Sequence, residues 1–257
     1  MRKPISAVSG FFAAGRSRSL EEDAGMFWNM SRYDDRVQDY SHWAGAGRWN
    51  HQRWLQYGES NFRLILAYLL EYGGRDFLDE LHLKTALEWG CGGGANVRAL
   101  CDRFRSVYGV DIAQATLDEC ERQMKNYGFR NFRKILFKSE YPESVLEKIA
   151  ADSVDFILSL AVFQHFPSKD YTRRVLAVIR KLMKKGGKAI IQVRYFDGSD
   201  KYRQKCDDYA RNVITMTSFA PGEFKYILDE CGLKSLYSER DPQGDRDCHE
   251  YFVLEKQ

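Results

Sequence analysis

The sequence predicts an α/β fold, in which a seven-stranded, mostly parallel sheet carries helices on both faces and ends in a C-terminal antiparallel hairpin. Strand and helix signals alternate from about residue 60 onward, a pattern typical of a parallel sheet covered by helices. A glycine-rich turn joins the first strand signal to the helix signal that follows it. The 257 residues are enough to bury the core of one such domain.

The N-terminal part of the chain differs in composition from the rest. Residues 1–24 are predicted to form a flexible tail, although the basic residues and absence of acids in the first twenty leave a targeting peptide as an alternative. Residues 25–57 hold four of the five tryptophans and are predicted to form a mobile helical cap over a ligand pocket. The alternative is that these aromatic residues only complete the core. Residues 58–257 form the main domain.

Periodicity places the elements of the main domain in order. Apolar residues at helical spacing predict a first helix over 62–72, which Gly73 and Gly74 end. The strands are predicted at 85–88, 106–110, 134–138, 154–159, 189–195, 234–239 and 251–256. The helices between them are predicted at 95–104, 117–128, 143–150, from Ser168 onward and 223–231. The long polar connection at 196–221 is a candidate lid, because it leaves the carboxyl end of a strand.

The turn after the first predicted strand has the pattern Gly90-x-Gly92-x-x-Ala95, and Asp111 follows at the end of the next strand. Glycines in such a turn let the backbone approach a ligand that a Cβ would exclude. The pattern matches a dinucleotide fingerprint in which the acid binds ribose hydroxyls, so by itself it would suit NAD.

Further stretches favour a different nucleotide-type cofactor. Glu88 precedes the glycines, and Glu-x-Gly-x-Gly-x-Gly resembles motif I of the class I S-adenosylmethionine (SAM) methyltransferases. The stretches at 107–112, 155–159 and 185–189 resemble the second strand, the fourth strand and the turn into the fifth strand of that family. The stretch at 161–167 is similar to the small-molecule, ubiquinone-biosynthesis-like branch. The resemblance covers roughly residues 60–257 and implies a Rossmann-like sheet with SAM as cofactor.

The resemblance also implies roles at the glycine turn. Glu88 would hold the amino-acid end of SAM, and the turn Gly90-Cys91-Gly92 would approach its sugar and methionyl parts. Asp111 would accept hydrogen bonds from the two ribose hydroxyls, since a carboxylate has two acceptor oxygens. The structural alternatives are a surface acid for Glu88, an ordinary turn for the glycines and a helix N-cap for Asp111.

The remaining cofactor contacts follow from the same resemblance. Ile112 would pack on the adenine face, and Ser139 or Glu140 would contact the adenine amino group. Leu160, just past the fourth strand, would accept from the cofactor ammonium through its backbone carbonyl. Together these residues imply a pocket at the carboxyl ends of the first, second and fourth strands.

His165 is the candidate catalytic residue. It follows the fourth strand, and an imidazole suits general-base chemistry near neutral pH. The structural alternative is a histidine that caps the next helix or orders its loop. Methyl transfer itself needs in-line positioning and exclusion of water, and a base is needed only when the acceptor must lose a proton. The candidate acceptor-binding residues are Tyr40, His42, Trp43, Gln164, Arg194 and Tyr195.

Composition excludes several classes of function. No apolar run is long enough to span a bilayer, and the net charge of +3 does not indicate a nucleic-acid partner. The six cysteines form no Cys-x-x-Cys pair, so no metal site is expected and a reducing, cytoplasmic location is favoured.

From the resemblance and the composition together, we expect methyl transfer from SAM to an oxygen, nitrogen or carbon nucleophile of a small or medium-sized molecule. An NAD-type oxidoreductase and a non-catalytic SAM-binding partner subunit stay as alternatives.

Overall fold

A computed structural model describes residues 18–240 and 248–257. Its centre is a seven-stranded sheet with the strand order β3-β2-β1-β4-β5-β7-β6. The first five strands of the chain are parallel, whereas β7 runs antiparallel to both β5 and β6. The strands are β1 (Thr85–Trp89), β2 (Ser106–Asp111), β3 (Phe132–Leu136), β4 (Val154–Ser159), β5 (Met183–Arg194), β6 (Leu233–Arg240) and β7 (His249–Lys256). The predicted fold class is confirmed.

Nine α-helices accompany these strands in the described part of the chain. They are α1 (Leu20–Asn29), α2 (Asp35–Tyr40), α3 (His51–Tyr68), α4 (Arg75–Asp79), α5 (Ala95–Cys101), α6 (Gln114–Asn126), α7 (Lys169–Leu182), α8 (Tyr209–Asn212) and α9 (Glu223–Glu230). None of the helices in residues 18–240 or 248–257 has the length and apolarity to cross a membrane.

Alternating strand residues place a hydrophobic core on each face of the sheet. In β1, Leu87 belongs to a core that α7 and α9 cover, whereas Ala86 belongs to a second core beneath α3, α5 and α6. Helix α7 begins where predicted, because the Ser168 hydroxyl accepts a hydrogen bond from the Tyr171 N–H at 3.0 Å. Helices on both faces therefore hold the strand ends in fixed positions.

Several boundaries differ from the prediction. Strand β3 begins and ends two residues earlier than the predicted 134–138, and β5 begins at Met183 rather than at 189. The early start of β5 reflects pairing of Met183 with Val154, followed by a register shift in β4. The segment at 143–150 forms a short 3-10 helix, Pro142–Glu147, instead of an α-helix.

Regular structure in the N-terminal segment begins at an earlier residue than the composition predicts. Of the predicted tail 1–24, residues 1–17 lie outside the described residues, but α1 already begins at Leu20. A capping box starts this helix: Ser19 accepts from the Glu22 N–H, and the Glu22 carboxylate accepts from the Ser19 N–H. The predicted boundary between residues 57 and 58 also falls inside a helix, because α3 runs continuously across it.

A third, smaller core joins the N-terminal segment to the connection between β5 and α9. Its buried residues come from both segments: Ala24, Phe27, Val37, Tyr209, Val213 and Met216. We call the two segments, residues 18–50 and 196–221, the cap and the connection. The two share apolar contacts beside the carboxyl ends of the strands. Trp54, by contrast, is fully buried in the core beneath α3, so the aromatic-rich segment serves both the cap and the main domain.

Candidate active site

A pocket with about 850 Å³ of empty volume opens at the carboxyl ends of β1, β2 and β4. This is the edge of a parallel sheet where the strand order reverses and where ligands of such folds bind. The cap, the glycine turn, the loop after β4 and the connection each contribute residues to its wall.

The glycine turn contacts the cap and also faces the pocket. Gly92 has a positive φ of 53°, and a Cβ there would lie 2.6 Å from the carbonyl oxygen of Ser41. The next glycine, Gly93, donates its N–H to that same carbonyl at 2.6 Å. At Gly90, a Cβ would strike the side chain of Val162. These glycines therefore make room for protein groups, and their close approach to a ligand stays a prediction.

Glu88 lies at the end of β1 and is only 2% exposed. Its Oε1 accepts a hydrogen bond from the Asn96 amide at 2.7 Å, whereas its Oε2 is buried without a hydrogen-bond partner. Burial raises the pKa of Glu88 to about 8, although the hydrogen bond from Asn96 acts in the opposite direction. A buried carboxylate oxygen without a donor is suited to a cationic or hydrogen-bond-donating ligand.

Asp111 ends β2 on the opposite side of the turn. Its Oδ2 accepts from the Gly92 N–H at 3.2 Å and its Oδ1 from the Ala113 N–H at 3.0 Å. Burial raises its pKa, and these backbone hydrogen bonds oppose that shift. Each carboxylate oxygen has more than one acceptor site, so the carboxylate can hold its own loop and still accept from a ligand. Ile112 lines the pocket beside it.

The other predicted cofactor residues divide between the pocket and its neighbourhood. Cys91, Ser139 and Leu160 line the pocket, and all three are buried. A hydrogen bond with Cys120, together with burial, raises the pKa of the Cys91 thiol, which keeps it neutral. The Ser139 hydroxyl donates to the Glu140 carboxylate at 2.7 Å, and Glu140 itself lies in an adjoining depression rather than in the main pocket. Of the two alternatives, Ser139 therefore lies on the pocket wall.

His165 lies on the pocket wall in the short helix that follows β4, Phe163–His165. Its Nδ1 is 2.6 Å from the backbone carbonyl oxygen of Val213. A carbonyl can only accept, so Nδ1 carries the proton and Nε2 is the basic nitrogen. Burial lowers the pKa of His165 to about 4, so the ring is neutral at physiological pH.

Two residues without any motif hold His165 in place. Tyr209 of α8 donates its hydroxyl to the His165 carbonyl oxygen at 2.7 Å, and the Trp28 indole donates to the Tyr209 oxygen at 2.9 Å. The rings of Trp28 and His165 also meet edge to face, with centroids 5.1 Å apart. Trp28 belongs to the predicted aromatic segment, but nothing in the sequence distinguishes Tyr209 from other tyrosines. Asn96 was not predicted from the sequence either; the only signal for it is a polar side chain among mostly apolar residues at the start of α5.

The predicted acceptor residues have mixed positions. Tyr40 and His42 line the pocket, and His42 has a positive φ of 57° with its ring packed against Trp49 and Tyr57. Burial lowers the pKa of His42 to about 3, so this ring is also neutral. Trp43 is not among the lining residues, and its indole donates to the buried Thr116 of α6 at 3.3 Å.

The other three predicted acceptor residues lie behind the pocket wall. Gln164 is buried between His165 and the connection, where its backbone carbonyl accepts from the Thr217 N–H. Arg194 is 3% exposed, and its guanidinium donates to the carbonyl of Ile214. Tyr195 pairs through its backbone with Phe219. None of the three is among the residues of the described chain that line the pocket, so the pocket gives no support to their prediction as acceptor contacts. They support the connection instead.

Comparison with known families identifies part of the chain. A family model described as a methyltransferase domain matches residues 87–191, which include the glycine turn, Asp111 and His165. A comparison with proteins of curated function finds no match.

Solved structures share the fold over most of the chain. Magnesium protoporphyrin IX methyltransferase from Synechocystis PCC 6803, solved with bound SAM, is 14% identical, with a TM-score of 0.64 over 95% of this chain and 100% of that one. A SAM-dependent methyltransferase from Clostridium acetobutylicum is 16% identical, with a TM-score of 0.55 over 77% and 98%. The cyclase SpnF is 12% identical, with a TM-score of 0.60 over 94% and 97%. At these identities the likeness concerns the fold.

Proposed function

We propose that this chain is a class I SAM-dependent methyltransferase that methylates an oxygen, nitrogen or carbon nucleophile of a small or medium-sized molecule. The match of a methyltransferase-domain model to residues 87–191 supports the family assignment. The observation that carries the proposal is the juxtaposition of Glu88, Asp111 and His165 around one pocket. Two acids that can hold a cationic nucleoside and one neutral imidazole that can accept a proton thus face the same space.

The residues at the glycine turn fit SAM. Glu88 has a buried, unpartnered oxygen for a positively charged ligand, and Asp111 keeps acceptor capacity for ribose hydroxyls. Ile112 and Leu160 offer apolar surface in the same pocket. When bound, SAM supplies a methyl group on a positively charged sulfur, which is already activated toward a nucleophile. The protein then has to orient the acceptor, exclude water and remove a proton where the acceptor carries one.

We propose that His165 removes that proton. Its Nδ1 is held by the Val213 carbonyl, which leaves Nε2 to accept a proton from an O–H, N–H or C–H group of the acceptor. Because its pKa is lowered to about 4, the imidazole is already in the basic form across the physiological range. A base of this strength suits an acceptor whose own proton becomes more acidic as its bond to the methyl group forms.

The wall of the pocket favours an uncharged acceptor with a flat apolar part. In the described chain, neither lysine nor arginine is among the lining residues, so an acceptor carboxylate or phosphate would find no cationic partner. The wall beyond the glycine turn is mainly aromatic. The cap, the loop after β4, α7 and the connection together contribute Trp28, Tyr40, Phe166, Tyr171 and Tyr209. Such a wall offers ring contacts and a few hydroxyl groups rather than charge.

We also propose that the cap covers the pocket during methyl transfer and opens for exchange of ligands. Trp28, Tyr40 and His42 of the cap line the pocket, and Tyr209 of the connection closes it from the other side. Enclosure by mobile segments excludes water from the reacting groups and is common among enzymes that must also release product.

Calorimetric titration with SAM and with S-adenosylhomocysteine tests the proposed function. We expect both to bind, whereas addition of NADH should leave the NADH fluorescence unchanged. Absence of binding to both SAM compounds would refute the proposal, and a change in NADH fluorescence would support an oxidoreductase. The acceptor can then be sought by mass spectrometry of a cell extract incubated with the protein and deuterium-methyl SAM. Binding without methyl transfer in a complex with one copurifying protein would support a partner subunit.

A further inference from the structure

Two buried asparagines connect α3 to Glu88. Asn61 of α3 is 4% exposed and Asn96 of α5 is 7% exposed, although both lie in a mainly apolar core. The Asn61 amide donates to the Asn96 side-chain oxygen at 2.9 Å, and the Asn96 amide donates to Glu88 Oε1 at 2.7 Å. The three side chains form one hydrogen-bonded chain that reaches the pocket from outside it. Buried polar groups are costly unless they are paired in this way.

The direction of this chain is fixed by the donors and acceptors available. A side-chain amide has one oxygen that accepts and one NH2 group that donates, so Asn96 can face Glu88 with either end. Because Asn61 donates to its oxygen, Asn96 presents its NH2 group to the carboxylate. With the opposite orientation the Asn96 oxygen would face Glu88, which suits only a protonated carboxyl group that can donate. In the observed arrangement Asn61 donates to the Asn96 oxygen, which leaves the Asn96 NH2 group to support an ionised Glu88.

The packing of α3 against α5 keeps Asn61 in position. Gly58 lies one turn before Asn61, and a Cβ at Gly58 would strike the carbonyl of Ala95. The backbones of the two helices can approach this closely only because position 58 has no side chain. One residue from Asn61, Phe62 is 2% exposed and packs in the same core.

We propose that Asn61 is a positioning residue of the cofactor site, which acts through Asn96 to keep one oxygen of Glu88 bound and the other free for a cationic ligand. This inference rests on the proposed function. Asn61 lies outside the pocket wall and outside the residues that match the methyltransferase domain.

The proposal predicts a pH dependence of ligand binding that involves few other groups. The ionisable groups that interact electrostatically with Glu88 are Asp111 on β2 and the thiols of Cys91, Cys101 and Cys120. The pKa of each thiol is raised, for Cys91 by its hydrogen bond with Cys120 and by burial and for the other two mainly by burial, so all three stay neutral. The pKa of Glu88 is about 8 with the Asn96 hydrogen bond in place. Loss of that support should raise the pKa further, so a cationic ligand would have to ionise Glu88 at greater cost.

The test is S-adenosylhomocysteine binding by calorimetry from pH 6 to pH 10 for the wild type, Asn61→Leu, Asn96→Leu and the double variant. S-adenosylhomocysteine carries the ammonium group but cannot be turned over. We expect Asn61→Leu to weaken binding about tenfold at pH 7 and to move the midpoint of the pH profile upward by about one unit. The difference should vanish near pH 10. In the Asn96→Leu background, the Asn61 substitution should add less than about twofold, because its route to Glu88 is already broken.

Matched variants separate positioning from a general loss of stability. Phe62→Leu should lower the melting temperature without moving the pH midpoint, and Asn61→Ser, which keeps a donor, should retain part of the wild-type profile. A Glu88 titration in the free protein, followed by isotope-edited infrared or carbon NMR spectroscopy, should show the same upward shift for Asn61→Leu.

The results distinguish two kinds of failure. If the wild type binds the ligand and Asn61→Leu has the same affinity and midpoint as Phe62→Leu, the positioning role is refuted. The same holds if the two asparagine substitutions are fully additive. If the wild type binds neither SAM compound, the proposed function fails, whereas the Glu88 titration in the free protein still decides whether Asn61 supports the ionised carboxylate.

Discussion

Replacement of Glu88 by glutamine should stabilise the free protein and weaken cofactor binding at the same time. Glutamine has nearly the shape of glutamate, and the Asn96 amide can still donate to its oxygen. What the substitution removes is a carboxyl group whose pKa is raised by burial from 4.5 to about 8. The opposite effects on stability and binding follow from that single change.

The magnitude follows from proton linkage. Between pH 4.5 and about 8, the unfolded chain has released the Glu88 proton and the folded chain has retained it. The free energy of unfolding of the wild type should therefore fall by about 1.4 kcal/mol per pH unit because of this group alone. The glutamine variant has no carboxyl proton at this position, so its free energy of unfolding does not fall in this way. The excess of its free energy of unfolding over that of the wild type should increase by roughly 4 kcal/mol between pH 5 and pH 8.

Binding should respond in the other direction. A hydrogen bond to a charged group contributes about 1.5–3 kcal/mol, so Glu88→Gln should weaken S-adenosylhomocysteine binding by roughly 10- to 150-fold above pH 8. Urea unfolding at pH 5, 6.5 and 8, followed by tryptophan fluorescence, measures the stability, and calorimetry measures the affinity. Glu147→Gln, at an exposed residue, controls for the chemistry of the substitution. A stability difference that is constant with pH, or unchanged affinity, would refute the reasoning.

The other predictions concern the base, the turn and the cap. His165→Gln should lower kcat at least about 100-fold while the dissociation constant of SAM stays within about twofold; a parallel loss of SAM affinity would argue for a structural role. For the wild type, kcat should stay level from pH 6 to pH 8, because the pKa of His165 is about 4, and a break near 6.5 would contradict this. Gly93→Ala should speed proteolysis of the cap, since the added methyl would lie 2.5 Å from the His42 carbonyl; Gly73→Ala, at a position outside the left-handed region where the methyl would be 3.3 Å from the nearest atom, should not. Deletion of residues 1–49 should leave a cooperative thermal transition and weaken SAM binding, because α3 keeps its N-cap at Asn50 and its core face. Aggregation of this truncated protein would instead show that the cap completes the core.

The sequence was most informative where chemistry and backbone geometry depend on the same few residues. The glycines after β1 and the acids Glu88 and Asp111 stand at fixed spacings from strand ends, so their common location could be predicted. Their contacts could not, because the carbonyl that approaches Gly92 belongs to Ser41, far away in the sequence. A local pattern specifies that room is needed, and the fold decides which group occupies it.

The residues that hold His165 in place also could not be predicted from the sequence. Trp28 and Tyr209 are 181 residues apart in the chain, and their hydrogen bond exists only because the cap and the connection share a small core. Neither residue belongs to a motif with a spacing that could reveal it. Arg194 illustrates the converse, because a charged residue at a strand end suggests a ligand contact. Here its guanidinium binds a backbone carbonyl of the connection.

The small core between the cap and the connection has a consequence for the rate of ligand exchange. Phe27, Val37 and Met216 are almost completely buried in it, so the two segments cannot separate without exposing apolar surface to water. That exposure raises the barrier for release of any ligand held beneath both segments and leaves the chemical step untouched. We therefore predict that product dissociation limits turnover. Substitutions such as Val37→Ala, which shrink the shared core, would then raise the steady-state rate while lowering the residence time of the product.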